Sequence, residues 1–300
     1  MARRPRRRRR AARALVAVVV VVVLLLGGVV GVVAVLNSQS PPRTQTEVCF
    51  AGEGADQVAL SPAQASNAAL ISAVTIRRGL PARAATIGLA TAMQESRLIN
   101  IDYGDRDSVG LFQQRPSQGW GSVEQIMDPV YATGKFFDHL VKVDGYEDMP
   151  ITEAAQAVQR SGFPDAYAQH EPRARAFASA LTGYSEASLR CDLHEAEAGS
   201  ADPEAVTARI ERDFGEVTTK VAAPADGPTT VTVDASTLGD DADRMAWALA
   251  QWAVATAGEL GTTKVEVADQ QWDRASGEWS ASAKALPDGR VRLTLVDDDA

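Results

Sequence analysis

Residues 82–96 read ARAATIGLATAMQES, and the predicted fold depends on this stretch. Its side chains are small or apolar on nearly every face, which predicts a helix that runs through the core of a helical domain. Glu95 interrupts this pattern in the last turn. Desolvation and the negative end of the helix dipole both disfavour an ionised carboxylate there, so we expect the Glu95 pKa to be raised. A carboxyl with a raised pKa can serve as a general acid near neutral pH. The alternative is a glutamate that points into solvent.

Residues 49–191, which begin and end with a cysteine, predict an all-α domain built from short helices. Ser61-Pro62 combines an N-cap residue with proline at the first helical position. Ser122 and Gln125 have the spacing of a capping box. Hardly any stretch in this region alternates as a strand would, so helices account for nearly all of its pattern.

The two cysteines, Cys49 and Cys191, predict a disulfide that staples the two ends of this domain together. An even number of cysteines outside the cytoplasm is most simply explained by pairing. The alternative is a pair of unrelated buried thiols.

The N-terminal 48 residues predict a membrane anchor. Residues 1–13 hold eight arginines and no acidic residue, and residues 14–36 are free of charge over 23 positions. A helix of that length is roughly 35 Å long, enough to cross the hydrocarbon core. The arginines predict a cytoplasmic N-terminus, with residues 37–48 as a stalk and the rest of a single-pass cell-membrane protein outside the cytoplasm. A cleaved signal peptide is the alternative.

The charge distribution argues against a nucleic-acid-binding protein. The net charge of −9 hides an asymmetry, because beyond residue 13 there are 22 basic residues against 39 acidic ones. A protein that binds nucleic acid carries its positive charge on the folded domain. A basic tail that touches nucleic acid is the remaining alternative.

The C-terminal third predicts a linker followed by a second domain. Residues 192–202 are polar and read as a linker. Residues 203–300 mix helical and strand patterns, which predicts a small non-catalytic α/β domain that could bind a protein partner. Trp272 and Trp279 either form an exposed binding edge or pack against the helix and the sheet. The whole chain is therefore expected to be α+β, with a transmembrane helix, an all-α domain and a small α/β domain.

Three motifs carry a resemblance to a known family. Glu95-Ser96 at a helix end is followed by GLFQQ at 110–114 and by AAQAVQRS at 154–161. Over about residues 60–182 this series resembles the motifs of the soluble lytic transglycosylases, in the lysozyme-like superfamily. The strings MQES, DYGDRDSVGLFQQRPSQGWG and AAQAVQRS are closer still to lysozyme-like domains of anchored proteins from high-GC Gram-positive bacteria. The resemblance implies cleavage of peptidoglycan glycan strands by a lytic transglycosylase or muramidase-like enzyme, with no cofactor.

The resemblance also implies roles for individual residues. Glu95 matches the catalytic acid, Ser96 the residue that orients it, and Gln113 the motif glutamine that contacts the glycan or the catalytic region. The substrate-binding candidates are Ser96, Tyr103, Gln113, Gln114, Gln159 and Tyr167.

The sequence departs from the family at Val158-Gln159, where the family has Tyr-Asn. Tyr103 or Tyr167 could supply the missing aromatic hydroxyl. The departure favours the alternative function, a catalytically silent lysozyme-like domain that binds or scaffolds the cell wall. If the domain is an enzyme, we expect removal of residues 203–300 to leave cleavage intact.

The loop after the helix predicted at residues 82–96 carries Asp102, Asp105 and Asp107. One of them could provide the second carboxylate that two-carboxylate hydrolysis requires, whereas lytic transglycosylases need only one acid. Their spacing lacks the glycine and the terminal glutamate of an EF-hand loop, so we expect no metal and a solvated lip of a groove. Trp120 either stacks on a sugar or fills the core.

Overall fold

The computed structural model describes residues 46–224 and 227–297 of the chain, and a short antiparallel sheet ties the ends of the helical region together. Its strands are β1 (Val48–Ala51), β2 (Val58–Leu60) and β3 (Leu189–Asp192), with β1 in the middle. Cys49 lies opposite Cys191 in the register of β1 and β3, and the two form a disulfide. The predicted disulfide is confirmed.

The stretch between β2 and β3 is described throughout and contains six α-helices. They are α1 (Pro62–Arg77), α2 (Ala82–Ser96), α3 (Val123–Met127), α4 (Pro129–Leu140), α5 (Ile151–Gln159) and α6 (Glu171–Leu181). Ser61 and Gln64 form a capping box at the start of α1, and Ser122 and Gln125 form another at the start of α3. The capping signals in the sequence therefore mark real helix starts.

Helix α2 runs through the centre of this region and packs against α1, α4, α5 and α6. Its residues are buried without interruption over 84–93. A Cβ atom on Gly88 would come within 3.2 Å of Ile71 on α1 and within 3.3 Å of Phe137 on α4, so the missing side chain lets three helices approach closely. The helix ends where Arg97 adopts a left-handed φ of 57°.

The second region consists of two helices and a six-stranded sheet within the residues described. Its elements are α7 (Pro203–Phe214), β4 (Thr218–Ala222), β5 (Thr230–Asp234), α8 (Ala242–Leu260), β6 (Thr262–Val267), β7 (Gln270–Asp273), β8 (Glu278–Ala281) and β9 (Arg290–Leu295). The strand order is β4-β5-β9-β6-β7-β8, and each neighbouring pair is antiparallel.

Helix α8 joins the two regions. It lies on β6 and β9 with one side and packs against α1, α6 and β3 with the other. Because both sides are covered, its side chains are buried almost all the way round, from Met245 to Ala257. The chain from Glu47 onward forms one compact unit, and nearly all of the buried apolar residues described in it form one cluster that includes both regions.

Two parts of the predicted fold class are corrected by the structure. The first region is not all-α, because it contains the β2-β1-β3 sheet. The second region is not α/β, because its sheet is antiparallel throughout. Among the residues that the structure describes, no helix is long and apolar enough to cross a membrane. The segment 14–36, which was predicted to do so, lies outside those residues, as do the tip 1–13 and most of the stalk 37–48.

Candidate active site

Glu95 lies in the last turn of α2, half-buried, on the wall of a cavity of about 670 Å³. Gln113, Gln159 and Trp120 line the same cavity, which we call the Glu95 cavity. A volume of this size is in the range of ligand-binding clefts. The helix that carries Glu95 is packed on several sides, so the carboxyl is held on a rigid element.

The Glu95 carboxyl is held by two side chains from distant parts of the chain. The Tyr167 hydroxyl donates a hydrogen bond of 2.7 Å to Glu95 Oε1. Gln159, the last residue of α5, also hydrogen-bonds the carboxyl through its side chain. Tyr167 lies on the 3-10 helix Pro164–His170 and is fully buried, so its ring position is fixed by packing.

Burial sets the direction of the pKa shift at this carboxyl. Desolvation raises the Glu95 pKa above its ordinary value of 4.5, while the hydrogen bonds from Tyr167 and Gln159 offset part of that rise. The pKa of Tyr167 is raised too, first by burial and then by the neighbouring Glu95 carboxylate. The phenol therefore keeps its proton and remains a donor to Glu95.

Ser96 is buried, and its hydroxyl faces the interior rather than the cavity. It donates to the carbonyl of Leu111 at 2.7 Å and to that of Ala92 at 3.1 Å. The bond to Leu111 ties the end of α2 to the 110–114 loop. Ser96 thus fixes the position of the neighbouring Glu95 without lining the cavity.

The two motif glutamines have different surroundings. Gln113 lines the Glu95 cavity with a left-handed φ of 48°, and its amide reaches the carbonyls of Tyr103 and Gly110, each at 3.3 Å. Gln114 is almost fully buried, and its amide donates to the carbonyl of Ala132 at 3.0 Å. Both glutamines line the Glu95 cavity, and the amide nitrogen of each donates to backbone carbonyls, so that of Gln114 holds the loop on α4.

The remaining candidate residues differ in whether they contact Glu95 or line its cavity. The Gln159 amide donates to the carbonyl of Phe112 at 2.8 Å, so it links α5, the 110–114 loop and Glu95. Tyr103 is 69% exposed and does not line the Glu95 cavity. Of the two tyrosines that could supply the missing hydroxyl, the structure places Tyr167 on the carboxyl and leaves Tyr103 on the surface.

The three loop aspartates do not act together. Asp107 accepts from Arg115 at 2.9 Å and from the backbone of Ser117 at 2.8 Å, and the Arg115 hydrogen bond is the main reason that the Asp107 pKa lies well below its usual range. Asp105 is exposed and lines the Glu95 cavity, whereas Asp102 does not line it. Within the described residues, no cluster of three or more aspartate, glutamate, histidine or cysteine side chains could hold a metal ion.

Two aromatic residues face the cavity. Trp120 is half-buried, with its ring centroid 4.3 Å from that of His139, so it both packs and lines the wall. Phe163 lines the same cavity and is 76% exposed. Sequence reasoning missed Phe163; the only signal was an aromatic residue in a Gly-Phe-Pro turn directly after the third motif.

No protein-family model matches the sequence, and no curated protein matches it. The function has to be inferred from the cavity itself.

Proposed function

We propose that this protein cleaves peptidoglycan glycan strands at the bond between N-acetylmuramic acid and N-acetylglucosamine, with Glu95 as general acid and then base. One observation carries the proposal. A single carboxyl at a rigid helix end has its pKa raised by burial, faces a cavity, and accepts a hydrogen bond from the buried Tyr167 hydroxyl. The order of the three motifs in the sequence supports the same reaction.

The chemistry of glycosidic cleavage explains why such a carboxyl is useful. The leaving oxygen needs a proton as its bond to the anomeric carbon breaks, and a carboxyl that keeps its proton nearer to neutral pH can supply it. The Glu95 carboxyl transfers its proton to that oxygen, and the leaving sugar departs as an alcohol. Tyr167 and Gln159 then stabilise the carboxylate that remains.

The carboxylate completes the reaction as a base. It takes a proton either from a water molecule that attacks the anomeric carbon, which leaves a reducing end, or from a hydroxyl of the substrate, which leaves an anhydro sugar. Asp105 is the one loop aspartate on the cavity wall and is the candidate second carboxylate for the first outcome. The mass of the product distinguishes the two, because the anhydro sugar lacks one water.

The rest of the cavity suits a sugar chain. Trp120 and Phe163 offer aromatic faces against which sugar rings can pack, and Gln113 offers an amide beside Glu95. The disulfide between Cys49 and Cys191 is typical of a protein that works outside the cytoplasm, where peptidoglycan lies. We propose no nucleic-acid partner.

The competing function is a wall-binding module that no longer cleaves. Its support is the departure at Val158-Gln159, which stands where the resembling family has Tyr-Asn. Incubating the purified full-length protein with cell walls of several kinds separates the two. We expect soluble muropeptides to appear over time. Retention of the protein in the wall pellet without any released fragment would contradict the enzyme and favour the binding module.

A further inference from the structure

A second cavity of about 670 Å³ adjoins the Glu95 cavity. The two share part of their walls, formed by Trp120, Gln118, Gln159 and Arg160. A ligand long enough to pass Glu95 in the direction of Arg160 would therefore enter the second cavity. A glycan strand is such a ligand, because it extends on both sides of the bond that is cut.

The wall of this second cavity carries positive charge and no acidic side chain. Lys142 and Arg160 line it, together with His139, and no aspartate or glutamate does. We call it the basic cavity. The Glu95 cavity, by contrast, carries both signs of charge, because Glu95 and Asp105 line it beside its arginines.

The two cations of the basic cavity have no ion-pair partner among the residues that the structure describes. The chain has 39 acidic against 30 basic residues, yet the charged residues on the wall of this cavity are all basic. A concave site lined by one sign of charge concentrates ligands of the opposite sign. The observation thus points to an anionic ligand group.

We propose that the basic cavity binds a carboxylate carried by the glycan strand close to the bond that Glu95 cleaves. The inference rests on the proposed function for the identity of the strand. Two sources can supply the group: the lactyl acid on each muramic acid residue and the carboxylates of the peptide stem attached to it. A neutral strand of N-acetylglucosamine has neither, so the basic cavity selects wall glycan over neutral glycan.

A structural role for the same cations has to be separated from binding. Lys142 lies just after α4 and Arg160 just after α5, where the helix dipole favours positive charge. Arg97 offers a matched control, because it is an exposed arginine at the end of α2 with a φ of 57°, close to the 52° of Arg160, and it does not line either cavity. Both arginines follow a helix and have a left-handed φ, so any effect of replacing an arginine in that conformation is common to both.

The test measures dissociation constants by calorimetry with the full-length chain carrying Glu95→Gln, which prevents turnover during the measurement. Three ligands of equal length are compared: a neutral N-acetylglucosamine oligomer, a wall glycan with free lactyl carboxylates, and the same glycan with peptide stems. The parent chain, the Lys142→Gln/Arg160→Gln variant and the Arg97→Gln control are measured at low and high salt, and the melting temperature of each is recorded.

We expect the double variant to bind the anionic glycans about tenfold more weakly, since each exposed ion pair is worth about two- to fivefold in affinity. Its affinity for the neutral oligomer and its melting temperature should match those of the Arg97→Gln control. Salt should weaken anionic binding in the parent but not in the double variant. The anionic ligand that loses more affinity identifies the source of the carboxylate.

Different results would overturn this inference and the proposed function. Parent affinity that is equal for neutral and anionic glycans, or a double variant that weakens all three ligands alike, would overturn this inference and leave the proposed function intact. A folded parent chain without affinity for any of the three glycans would overturn both.

Discussion

At Glu95, burial and hydrogen bonding act on one carboxyl in opposite directions. Burial raises its pKa, and the donors Tyr167 and Gln159 lower it by stabilising the charged form. The net shift is upward because desolvation of the carboxyl is the larger effect. Burial favours the protonated carboxyl, which can act as an acid. The hydrogen bonds stabilise the carboxylate that remains after proton transfer.

Replacing Tyr167 by phenylalanine should raise the Glu95 pKa further, because a hydrogen bond to the charged form is lost. Cleavage that needs protonated Glu95 falls as pH rises through that pKa, so the alkaline limb of the pH–rate profile should move to higher pH. The folding stability should drop by about 1 kcal/mol at neutral pH. Tyr103→Phe is the control, because that ring is exposed and outside the cavity. An alkaline limb that stays in place or moves to lower pH would contradict this role of Tyr167.

Replacing Glu95 by glutamine should change how stability depends on pH. A carboxyl whose pKa is raised by folding contributes fully below its unfolded pKa, and that contribution is lost as pH rises through the folded pKa. The ordinary value here is 4.5. The melting temperature of Glu95→Gln relative to wild type should therefore be higher at pH 7 than at pH 4. The exposed Glu153→Gln serves as control. A relative stability that is constant over this range, or that falls, would show that folding does not raise the Glu95 pKa.

Only part of this site could be predicted from the sequence. Glu95 was identifiable because the helix around it is apolar over several turns. The choice between Tyr103 and Tyr167 was not, since it depends on where the 3-10 helix Pro164–His170 packs, 72 positions away from Glu95. Ser96 was predicted to contact substrate, but sequence could not show that its hydroxyl is used by the Leu111 carbonyl.

At the scale of elements, helices were easier to predict than strands. The apolar stretch 82–96 marked α2, and the capping residues Ser61 and Ser122 marked the starts of α1 and α3. The strands β1, β2 and β3 have only three or four residues each, too few to show alternation, and β1 and β3 pair across more than a hundred residues of chain. The all-α prediction failed for that reason.

The disulfide joins β1 to β3 and so links the two ends of the helical region. Breaking it tests how much this link stabilises the protein. Cys49 and Cys191 close a loop with a sequence separation of 142, for which the chain-entropy model gives at most about 4–5 kcal/mol of stabilisation. Reduction should therefore lower the urea midpoint of the full-length protein clearly. The Cys49→Ala/Cys191→Ala variant should resemble the reduced wild type and should not respond to reductant. An unchanged midpoint in protein shown by mass to be fully reduced would contradict a stabilising role for the bond.

At the scale of the whole molecule, the two regions share polar contacts as well as one apolar core. Arg209 on α7 reaches Asp213 at 2.9 Å, Glu259 on α8 at 2.8 Å and the hydroxyl of Ser66 on α1 at 3.0 Å. A chain that ended before residue 203 would uncover one side of α1. The expectation that residues 203–300 can be removed without affecting cleavage finds no support in this packing, so tests of cleavage should use the full chain.

Gln251 on α8 is fully buried and satisfies backbone groups of the other region. Its side-chain oxygen accepts from the backbone nitrogens of Ser188 and Leu189, at 3.1 and 2.9 Å. Its amide donates to the carbonyls of Ala180 and Ser185, at 2.7 and 2.9 Å. One side chain thus serves four backbone groups between the end of α6 and the start of β3. Sequence alone could not predict it, because a glutamine inside an apolar helix gives no sign of its distant partners.

Replacing Gln251 by alanine should lower the free energy of unfolding by about 3 kcal/mol, because buried donors and acceptors lose their partners. Urea denaturation followed by circular dichroism measures the loss. Gln270→Ala is the control, since that amide reaches only the neighbouring Asp269 at an exposed position. If the two variants were equally stable, the contacts of Gln251 would not be holding the regions together.

The central claim is that the Glu95 carboxyl delivers the proton that breaks the glycan strand. The most direct measurement is the rate at which the full-length protein shortens a defined peptidoglycan glycan of known length, for wild type, Glu95→Gln and the surface control Glu153→Gln. General acid catalysis by one carboxyl contributes about 10²–10⁴-fold, so the Glu95→Gln rate should fall by at least about a hundredfold while binding and folding are retained. The control should cleave like wild type. A Glu95→Gln protein that cleaves within a few-fold of wild type would contradict the assignment of Glu95 as the acid.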